Sequence, residues 1–288
     1  MTGPIDFPAE VTAYDRDAEV RSFPGPRHRM TYRVLGNGRT LVLVPGLAST
    51  YRGYAPTLNR LARRFRTIQI DYPGEHPDDG APLGRITHED LVDDLFRLVD
   101  HLGPERPTLF GLSFGSTVVL RALHRQARRF GRAVVQGGFA RRRLLPAERA
   151  ALGLGRWFPG NAGSLPFHAR GVARNNRATF PVDRPGLWDF YVEQNGLTPI
   201  AGLTHRLDLL DRLDLRSILG TIPTRMLVLQ GTEDRIVPRS HFEELSAGLR
   251  RGSGVLMPGV GHQPHYTHPR ELAGLVSDFL AVGRRKET

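Results

Sequence analysis

Short apolar runs alternate with longer amphipathic stretches along most of this 288-residue chain. The apolar runs predict strands over residues 30–35, 41–44, 67–71, 108–110, 133–136, 225–230 and 254–257. The amphipathic stretches predict helices over residues 54–65, 87–102, 116–130, 240–249 and 270–282. The strand runs lack the polar alternation of a half-exposed sheet. The sequence therefore predicts an α/β fold in which helices cover both faces of a mostly parallel sheet.

One long stretch departs from this rhythm. Residues 141–219 contain no convincing strand, and they hold both tryptophans of the chain. Long insertions in compact domains usually cover functional sites, so we expect a helical lid here, with an ordinary excursion of core helices as the alternative. The predicted organisation is a core formed by residues 1–140 and 220–288, and a lid formed by residues 141–219.

Composition excludes several classes of protein. The chain contains no cysteine, which rules out disulfides and thiolate metal sites. Residues 1–10 lack the apolar centre of a secretory signal, and the longest apolar runs are too short to span a bilayer. We therefore expect a cytoplasmic protein without stable membrane insertion. Its oligomeric state is left open.

The net charge of +11 raises the question of a nucleic-acid partner. However, Lys286 is the only lysine, and an arginine-rich, glycine-rich and proline-rich composition is typical of GC-rich coding sequence. The basic residues are spread along the chain and no RNA- or DNA-binding motif occurs. We expect no nucleic-acid partner. The sequence also contains no G-x-G-x-x-G after a predicted strand and no Walker motif, so we expect no nucleotide cofactor.

The segment Gly111-Leu112-Ser113-Phe114-Gly115 has the form G-x-S-x-G and joins a predicted strand to a predicted helix. In a nucleophile elbow the serine occupies a strained turn, and the flanking glycines relieve the crowding of strand against helix. Such a serine is a weak nucleophile unless a base takes its proton. Ser113 is therefore a candidate nucleophile, and a turn that simply required small residues is the alternative.

Two later loops contain the partners that a nucleophilic serine needs. Asp234 follows the predicted strand 225–230, and His262 follows the predicted strand 254–257. Because the carboxyl ends of parallel strands meet at one edge of a sheet, we expect both residues to lie near Ser113. Glu233 is the alternative acid, and the alternative histidines are His265 and His268. A metal site formed by these three histidines is not expected, since Pro264 and Pro269 argue against a regular helix presenting them together.

The order Ser, Asp, His, with each residue after a strand, is that of the α/β-hydrolase arrangement. The sequence resembles the α/β-hydrolase superfamily, and within it the serine hydrolases with a lid, over residues 30–283. The resemblance implies that Ser113 attacks the substrate, that His262 is the general base and then the general acid, and that Asp234 orients the imidazole. These roles agree with triad chemistry.

The resemblance also implies an oxyanion hole formed by the backbone N–H groups of Leu47 and Phe114. Many relatives have His-Gly where this chain has Pro45-Gly46. This departure removes a side chain that often braces the loop, but it leaves the backbone donor in place. Gly46, Trp157 and Trp188 are predicted to belong to the substrate pocket. The aromatic residues of the predicted lid form either an apolar acyl pocket or the lid's own core.

The sequence therefore predicts a cofactor-free serine hydrolase that cuts a small-molecule carboxylic ester through an acyl-serine intermediate. Amide, lactone, thioester and carbon–carbon bond hydrolysis stay open, as does acyl transfer, because the fold alone does not choose among them. A ligand-binding protein that has lost turnover is the alternative from another class. Nine arginines between residues 141 and 189 either attract anionic substrates or solvate the lid.

Overall fold

The computed structural model describes residues 5–48, 50–155 and 159–281. Eight strands form a single sheet in the order β1-β2-β4-β3-β5-β6-β7-β8. Strand β2 pairs antiparallel with β1 and β4, and the remaining neighbours pair parallel. The strands are β1 Glu19–Pro24, β2 Arg29–Leu35, β3 Arg39–Val44, β4 Phe65–Ile70, β5 Thr108–Leu112, β6 Ala133–Gln136, β7 Met226–Gly231 and β8 Gly252–Met257. The predicted mostly parallel sheet is confirmed.

Helices lie on both faces of this sheet. They are α1 Phe7–Asp17, α2 Ala55–Leu61, α3 His88–Leu102, α4 Phe114–Gln126, α5 Pro146–Gly155, α6 His168–Asn176, α7 Pro185–Gly196, α8 Ile200–Arg212, α9 Arg239–Gly248, α10 Pro264–Thr267 and α11 Pro269–Ala281. In the described part of the chain, no helix is both long enough and apolar enough to cross a membrane.

Strand β3 shows why the strand runs are continuously apolar. Leu41 and Leu43 pack into the cluster that contains residues of α1, α2 and α11. Val42 and Val44 point to the other face, into the cluster that contains residues of α3 and α4. All four side chains are fully buried. Successive residues of a strand face opposite sides, so a strand covered on both sides is apolar at every position.

Helix α3 begins and ends as its sequence predicts. Thr87 Oγ1 accepts a hydrogen bond from the backbone N–H of Asp90 at 3.2 Å, and Asp90 Oδ2 accepts one from the N–H of Thr87 at 2.8 Å. This capping box satisfies two N–H groups that the first turn leaves free, and such a cap contributes about 1 kcal/mol. The helix ends at Gly103, which adopts a left-handed conformation.

The structure differs from the prediction at several element boundaries. The helix predicted over residues 54–65 is shorter: α2 ends at Leu61, and Phe65 is the first residue of β4, where it pairs with Arg39. Phe65 fits the helical spacing only because it is buried in the same cluster as α2. Helix α4 already begins at Phe114. The pattern also missed β1, whose residues are mostly exposed and carry no apolar period.

Residues 141–219 lie between β6 and β7, and we refer to them as the insertion. Their described part contains helices α5 to α8 and short 3₁₀ turns, with an isolated β-bridge between Asn161 and Pro199 as its only extended pairing. The described part of this segment is therefore mainly helical. Side chains of α7 and α8 donate hydrogen bonds to the loop that follows β3. The insertion thus lies against the carboxyl end of the sheet.

Candidate active site

Ser113 occupies a strained corner between β5 and α4. Its φ and ψ angles are 48° and −116°, which a residue with a side chain rarely adopts. Its backbone N–H donates to the carbonyl oxygen of Gln136 at 2.8 Å, which holds the corner against β6. A Cβ atom on Gly115 would lie 2.2 Å from the carbonyl oxygen of Val44. A glycine is therefore required two residues after the serine, as the motif predicts.

The structure brings Ser113, His262 and Asp234 together from three separate loops. His262 Nε2 lies 3.0 Å from Ser113 Oγ, and His262 Nδ1 lies 2.6 Å from Asp234 Oδ2. The Asp234 side chain has no exposed surface, and that of His262 is 7% exposed. The imidazole thus contacts the hydroxyl through one ring nitrogen and a buried carboxylate through the other.

The alternative acid is placed differently. Asp234 Oδ1 accepts hydrogen bonds from the N–H groups of Ile236 and Val237, both at 2.9 Å, so the whole carboxylate is held in place. Glu233 is exposed, and its carboxylate lies 3.4 Å from the hydroxyl of its neighbour Thr232. The structure therefore brings Asp234, and not Glu233, to the histidine.

The alternative histidines also lie elsewhere. His265 is almost fully buried between the rings of Tyr54 and Tyr266, at centroid distances of 4.7 and 4.9 Å. Burial, with a smaller contribution from His262, lowers the pKa of His265 to about 3, so its imidazole is neutral. The side chain of His268 contacts the hydroxyl of Thr267. In the described ranges no group of three or more histidine or carboxylate side chains could hold a metal ion.

The loop after β3 lies directly beside Ser113. A Cβ atom placed on Gly46 would be 3.6 Å from the Cβ atom of Ser113. The Tyr72 hydroxyl donates to the carbonyl oxygen of Pro45 at 2.9 Å, and the N–H of Gly46 donates to the Tyr54 hydroxyl at 3.1 Å. These two phenols brace the first half of the loop from the core.

Residues of the insertion brace the second half of the same loop. Arg206 Nε donates to the carbonyl oxygen of Leu47 at 3.0 Å, and Asn195 Nδ2 donates to that of Ala48 at 3.0 Å. Arg206 is 1% exposed, and its Nη1 lies 2.5 Å from Glu75 Oε1. Burial raises the pKa of Glu75, and the positive charge of Arg206 opposes that rise. Arg206 therefore connects helix α8 both to this loop and to Glu75.

Sequence reasoning missed Arg206, although a signal was present. Leu203, Leu207 and Leu210 recur at helical spacing on α8, and Arg206 falls on the same face as Leu203 and Leu210. An arginine within an apolar stripe is expected to be buried and paired, because an unpaired buried charge is costly. The arginine-rich composition of the chain concealed this one position.

Two cavities meet at Ser113. The first, which we call the inner cavity, has a volume of about 330 Å³ and is lined by His262, Tyr54, Tyr191, His265, Gln136 and Asn176, among others. The second, which we call the basic cavity, has a volume of about 520 Å³ and is lined by Phe139, Arg141, Arg142, Arg143, Arg235 and His241, among others. Both contain Leu47, Ser113 and Glu148. A larger, more open hollow of about 740 Å³ between α6 and α7 contains none of the three residues that contact one another.

The predicted pocket residues have different positions. Gly46 lines the inner cavity. Trp188 lies on the wall of neither cavity and instead packs against Phe180 and Tyr191, at ring-centroid distances of 5.1 and 5.6 Å. It therefore belongs to the insertion's own packing, which corrects the pocket prediction. Trp157 lies outside the described residues, and so does Phe158, another aromatic residue of the predicted lid. The inner cavity is lined by both polar side chains, such as Gln136 and Asn176, and apolar ones, such as Val172 and Leu203.

Comparison with known proteins agrees with this arrangement. The chain is 26% identical over 261 residues to a Yersinia enterocolitica protein named as a carbamate hydrolase, RutD, covering 85% of this chain and 88% of the relative. It is 27% identical over 271 residues to the pimeloyl-(acyl-carrier protein) methyl ester esterase of Xanthomonas campestris, covering 86% and 98%. The crystal structure of a Pseudomonas aeruginosa hydrolase superposes with a TM-score of 0.80 at 23% identity, covering 92% of this chain and 99% of that one.

A family model also matches most of the chain. The model described as the alpha/beta hydrolase family matches residues 41–275, which run from β3 to α11 and include the G-x-S-x-G corner and both later loops. Strands β4 to β8, the strained serine and the converging histidine and aspartate lie within that span. This chain therefore belongs to the alpha/beta hydrolase family.

Proposed function

We propose that this protein is a serine hydrolase that cuts carboxylic esters through an acyl-serine intermediate and needs no cofactor. The observation that carries the proposal is the continuous set of contacts from Asp234 through His262 to Ser113, at 2.6 and 3.0 Å. Both distances lie within the range expected of a nucleophile, its base and the group that orients the base.

The contacts assign a role to each side chain. Ser113 Oγ attacks the ester carbonyl carbon while its proton passes to His262 Nε2. Asp234 accepts a hydrogen bond from Nδ1–H, which fixes the tautomer and stabilises the imidazolium without taking the proton. The same Nε2–H then protonates the departing alcohol. In the second half of the reaction, His262 activates a water molecule that hydrolyses the acyl-serine.

The developing oxyanion would be stabilised by the backbone N–H groups of Leu47 and Phe114. Phe114 follows Ser113 at the first turn of α4, where N–H groups lack helical partners and favour negative charge. Leu47 lies in the loop beside Ser113 and lines both cavities. The loss of one such donor typically lowers kcat by about 10²- to 10³-fold. The bracing of the Leu47 loop is therefore part of the proposed catalytic design.

The insertion is proposed to be the lid of this site. Helices α5, α6, α7 and α8 each contribute side chains to the cavity walls, including Glu148, Asn175, Tyr191 and Leu203. Exclusion of water by such a cover strengthens the electrostatic interactions beneath it. In this proposal, residues 141–219 determine which substrates enter, whereas the loops of the sheet perform the chemistry.

An ester is proposed because acyl transfer to a serine needs only the groups described above. The names of the two relatives point to a methyl ester and a carbamate, and both contain a carbonyl carbon that a serine can attack. Identities of 26% and 27% do not carry a substrate over to this chain. The bond must therefore be identified by experiment.

Labelling followed by turnover tests the proposal. The intact protein is treated with a fluorophosphonate probe, and the modified peptide is identified by mass spectrometry. We expect one label per chain, on Ser113, and hydrolysis of at least one member of a panel of activated esters with short, medium and long acyl chains. Amides, lactones and carbamates complete the panel. Labelling without any turnover would favour a ligand-binding protein, and a label on another serine would contradict the assignment of the nucleophile.

A further inference from the structure

The arginines of the insertion are not distributed evenly around Ser113. The consecutive residues Arg141, Arg142 and Arg143 all line the basic cavity, and Arg235 lines it from a separate loop after β7. Other arginines of the insertion, such as Arg174 on α6, line neither the basic nor the inner cavity. A GC-rich coding sequence explains why the chain contains many arginines. It does not explain why residues 141–143 and the distant residue Arg235 line the same cavity, which also contains Ser113.

Two of these arginines already have acidic partners. Arg142 Nη2 lies 2.6 Å from Glu148 Oε1, and Arg141 Nη1 lies 3.5 Å from Asp214 Oδ2. Asp214 is held more closely by Arg216, at 2.6 Å. The charge of Arg142 is therefore balanced by Glu148, whereas Arg141 shares Asp214 with Arg216 and is balanced only in part.

The other two arginines, Arg143 and Arg235, have no ion-pair partner among the described residues. Both side chains are exposed. The hydrogen bond from Arg149 lowers the pKa of Asp211 most, and Arg143 adds a smaller contribution; Asp211 is paired with Arg149 at 2.9 Å. Among the described lining residues, Glu148 is the one acidic side chain on the cavity wall, and it pairs with Arg142.

The inner cavity provides a contrast on the other side of Ser113. Its wall includes uncharged polar side chains such as Gln136, Asn176 and Gln263, and it has no lysine or arginine among its described lining residues. A substrate that spans both cavities, with its carbonyl carbon at Ser113, would therefore place its two ends in different electrostatic environments. The end in the basic cavity would face uncompensated guanidinium groups, which match carboxylate and phosphate geometry.

We propose that the substrate of this enzyme carries a carboxylate or phosphate group, and that this group binds in the basic cavity against Arg143 and Arg235 while Ser113 attacks the ester carbonyl. The inference rests on the proposed hydrolase function and adds the class of substrate. Carboxylate and phosphate share the recognition chemistry, and matched substrates distinguish them. Because both arginines are exposed, each contributes modestly to binding and is sensitive to salt.

Substrate preference provides the test. The specificity constant kcat/KM is measured for a neutral ester and for carboxylate-bearing and phosphate-bearing esters of similar size. The proteins are the unaltered enzyme, Arg143→Gln, Arg235→Gln, the double variant and the control Arg174→Gln. We expect each of the two cavity substitutions to lower the ratio of anionic to neutral kcat/KM by about two- to fivefold, which corresponds to an exposed charge pair. The double variant should lower it further, and the control should not change it.

Salt and direct binding complete the experiment. Raising the ionic strength should remove the preference of the unaltered enzyme for the anionic ester, because salt screens exposed charges within about 10 Å. Parallel salt curves for the two substrates, or equal ratios in all variants, would overturn the anion site. If no ester is hydrolysed, the proposed function fails, and calorimetric titration with a dicarboxylate then decides the anion site separately. Binding that is equal in the unaltered protein and the double variant would refute it.

Discussion

Arg206 Nε donates a hydrogen bond to the carbonyl oxygen of Leu47 at 3.0 Å, and this bond joins helix α8 to the loop beside Ser113. The orientation of that peptide determines where the neighbouring N–H groups of the loop point. An oxyanion hole depends on donors that are in position before the reaction begins. A residue of the insertion is thus linked to the proposed catalytic machinery without touching the reacting atoms.

Substitution of Arg206 should therefore reduce turnover more than substrate binding. We expect Arg206→Lys, which keeps a positive charge near Glu75 but loses the Nε donor, to lower kcat by at least about tenfold with little change in KM, because loop misplacement acts on the transition state. Steady-state kinetics and thermal unfolding measure the two effects. The control is Arg212→Gln, an exposed position on the same helix. A loss of stability with kcat unchanged in the folded fraction would show that Arg206 is only structural.

Removal of the Ser113 hydroxyl should abolish hydrolysis. Ser113→Ala deletes one oxygen and keeps the Cβ atom, so we expect kcat to fall by about a thousandfold or more with the free energy of unfolding nearly unchanged. Ser116→Ala is a matched comparison, because the Ser116 hydroxyl donates to the carbonyl oxygen of Ser113 at 2.6 Å. That variant should lose about 1 kcal/mol of stability and keep its fluorophosphonate label. Near-normal turnover by the Ser113→Ala variant would show that Ser113 is not the nucleophile.

Loss of charge at Asp234 should lower kcat strongly, whereas loss of charge at its neighbour Glu233 should leave kcat almost unchanged. Asp234→Asn removes the buried charge that holds His262, and we expect kcat to fall by about 10⁴-fold with a small effect on KM. Glu233→Gln changes an exposed side chain that does not contact the histidine, so its kcat should stay within about twofold of the unaltered enzyme. Kinetics of the two variants on one ester decides the assignment, which would be wrong if the effects were reversed.

Buried histidines should make the fold sensitive to acid. Burial, with a smaller contribution from Arg121, lowers the pKa of His88 to about 4, and its Nε2 lies 2.9 Å from the Thr117 hydroxyl oxygen. Between about pH 6.5 and pH 4 the unfolded chain binds a proton at this position and the folded chain does not. The contribution of His88 to the unfolding free energy is therefore fully present above this window. As the pH is lowered through the window, this free energy decreases by up to about 1.4 kcal/mol per pH unit for one group.

The variant His88→Gln should reduce this dependence. Urea unfolding of both proteins at several pH values between about 7 and 4.5 gives the slope of the unfolding free energy against pH. We expect the slope of His88→Gln to be smaller by about one proton, while its hydrolytic activity at neutral pH is retained because His88 lies outside both cavities. Equal slopes would show that His88 is not the group that titrates on unfolding. His265, with its pKa lowered to about 3, should leave a residual slope of the same sign in both proteins.

Local features of the chain were predictable because neighbouring residues determine them. The capping box of Thr87 and Asp90 depends on residues three positions apart. The corner at Ser113 depends on Gly111 and Gly115, which let strand and helix approach each other. The shared rim of Ser113, Asp234 and His262 followed from strand direction alone, because parallel strands end at the same edge.

Other features were decided only by tertiary structure. Glu233 and Asp234 are adjacent carboxylates in one loop, and only the packing of that loop against His262 determines which side chain is buried. Likewise, Arg143 and Arg174 are both arginines of the insertion, and only one of them lines a cavity with Ser113. From the sequence alone, the strands of the sheet other than β1, the serine corner and the loops where partners could lie were predictable. The tertiary structure decided which charges are buried, paired or free, because burial and pairing depend on segments far apart in the chain.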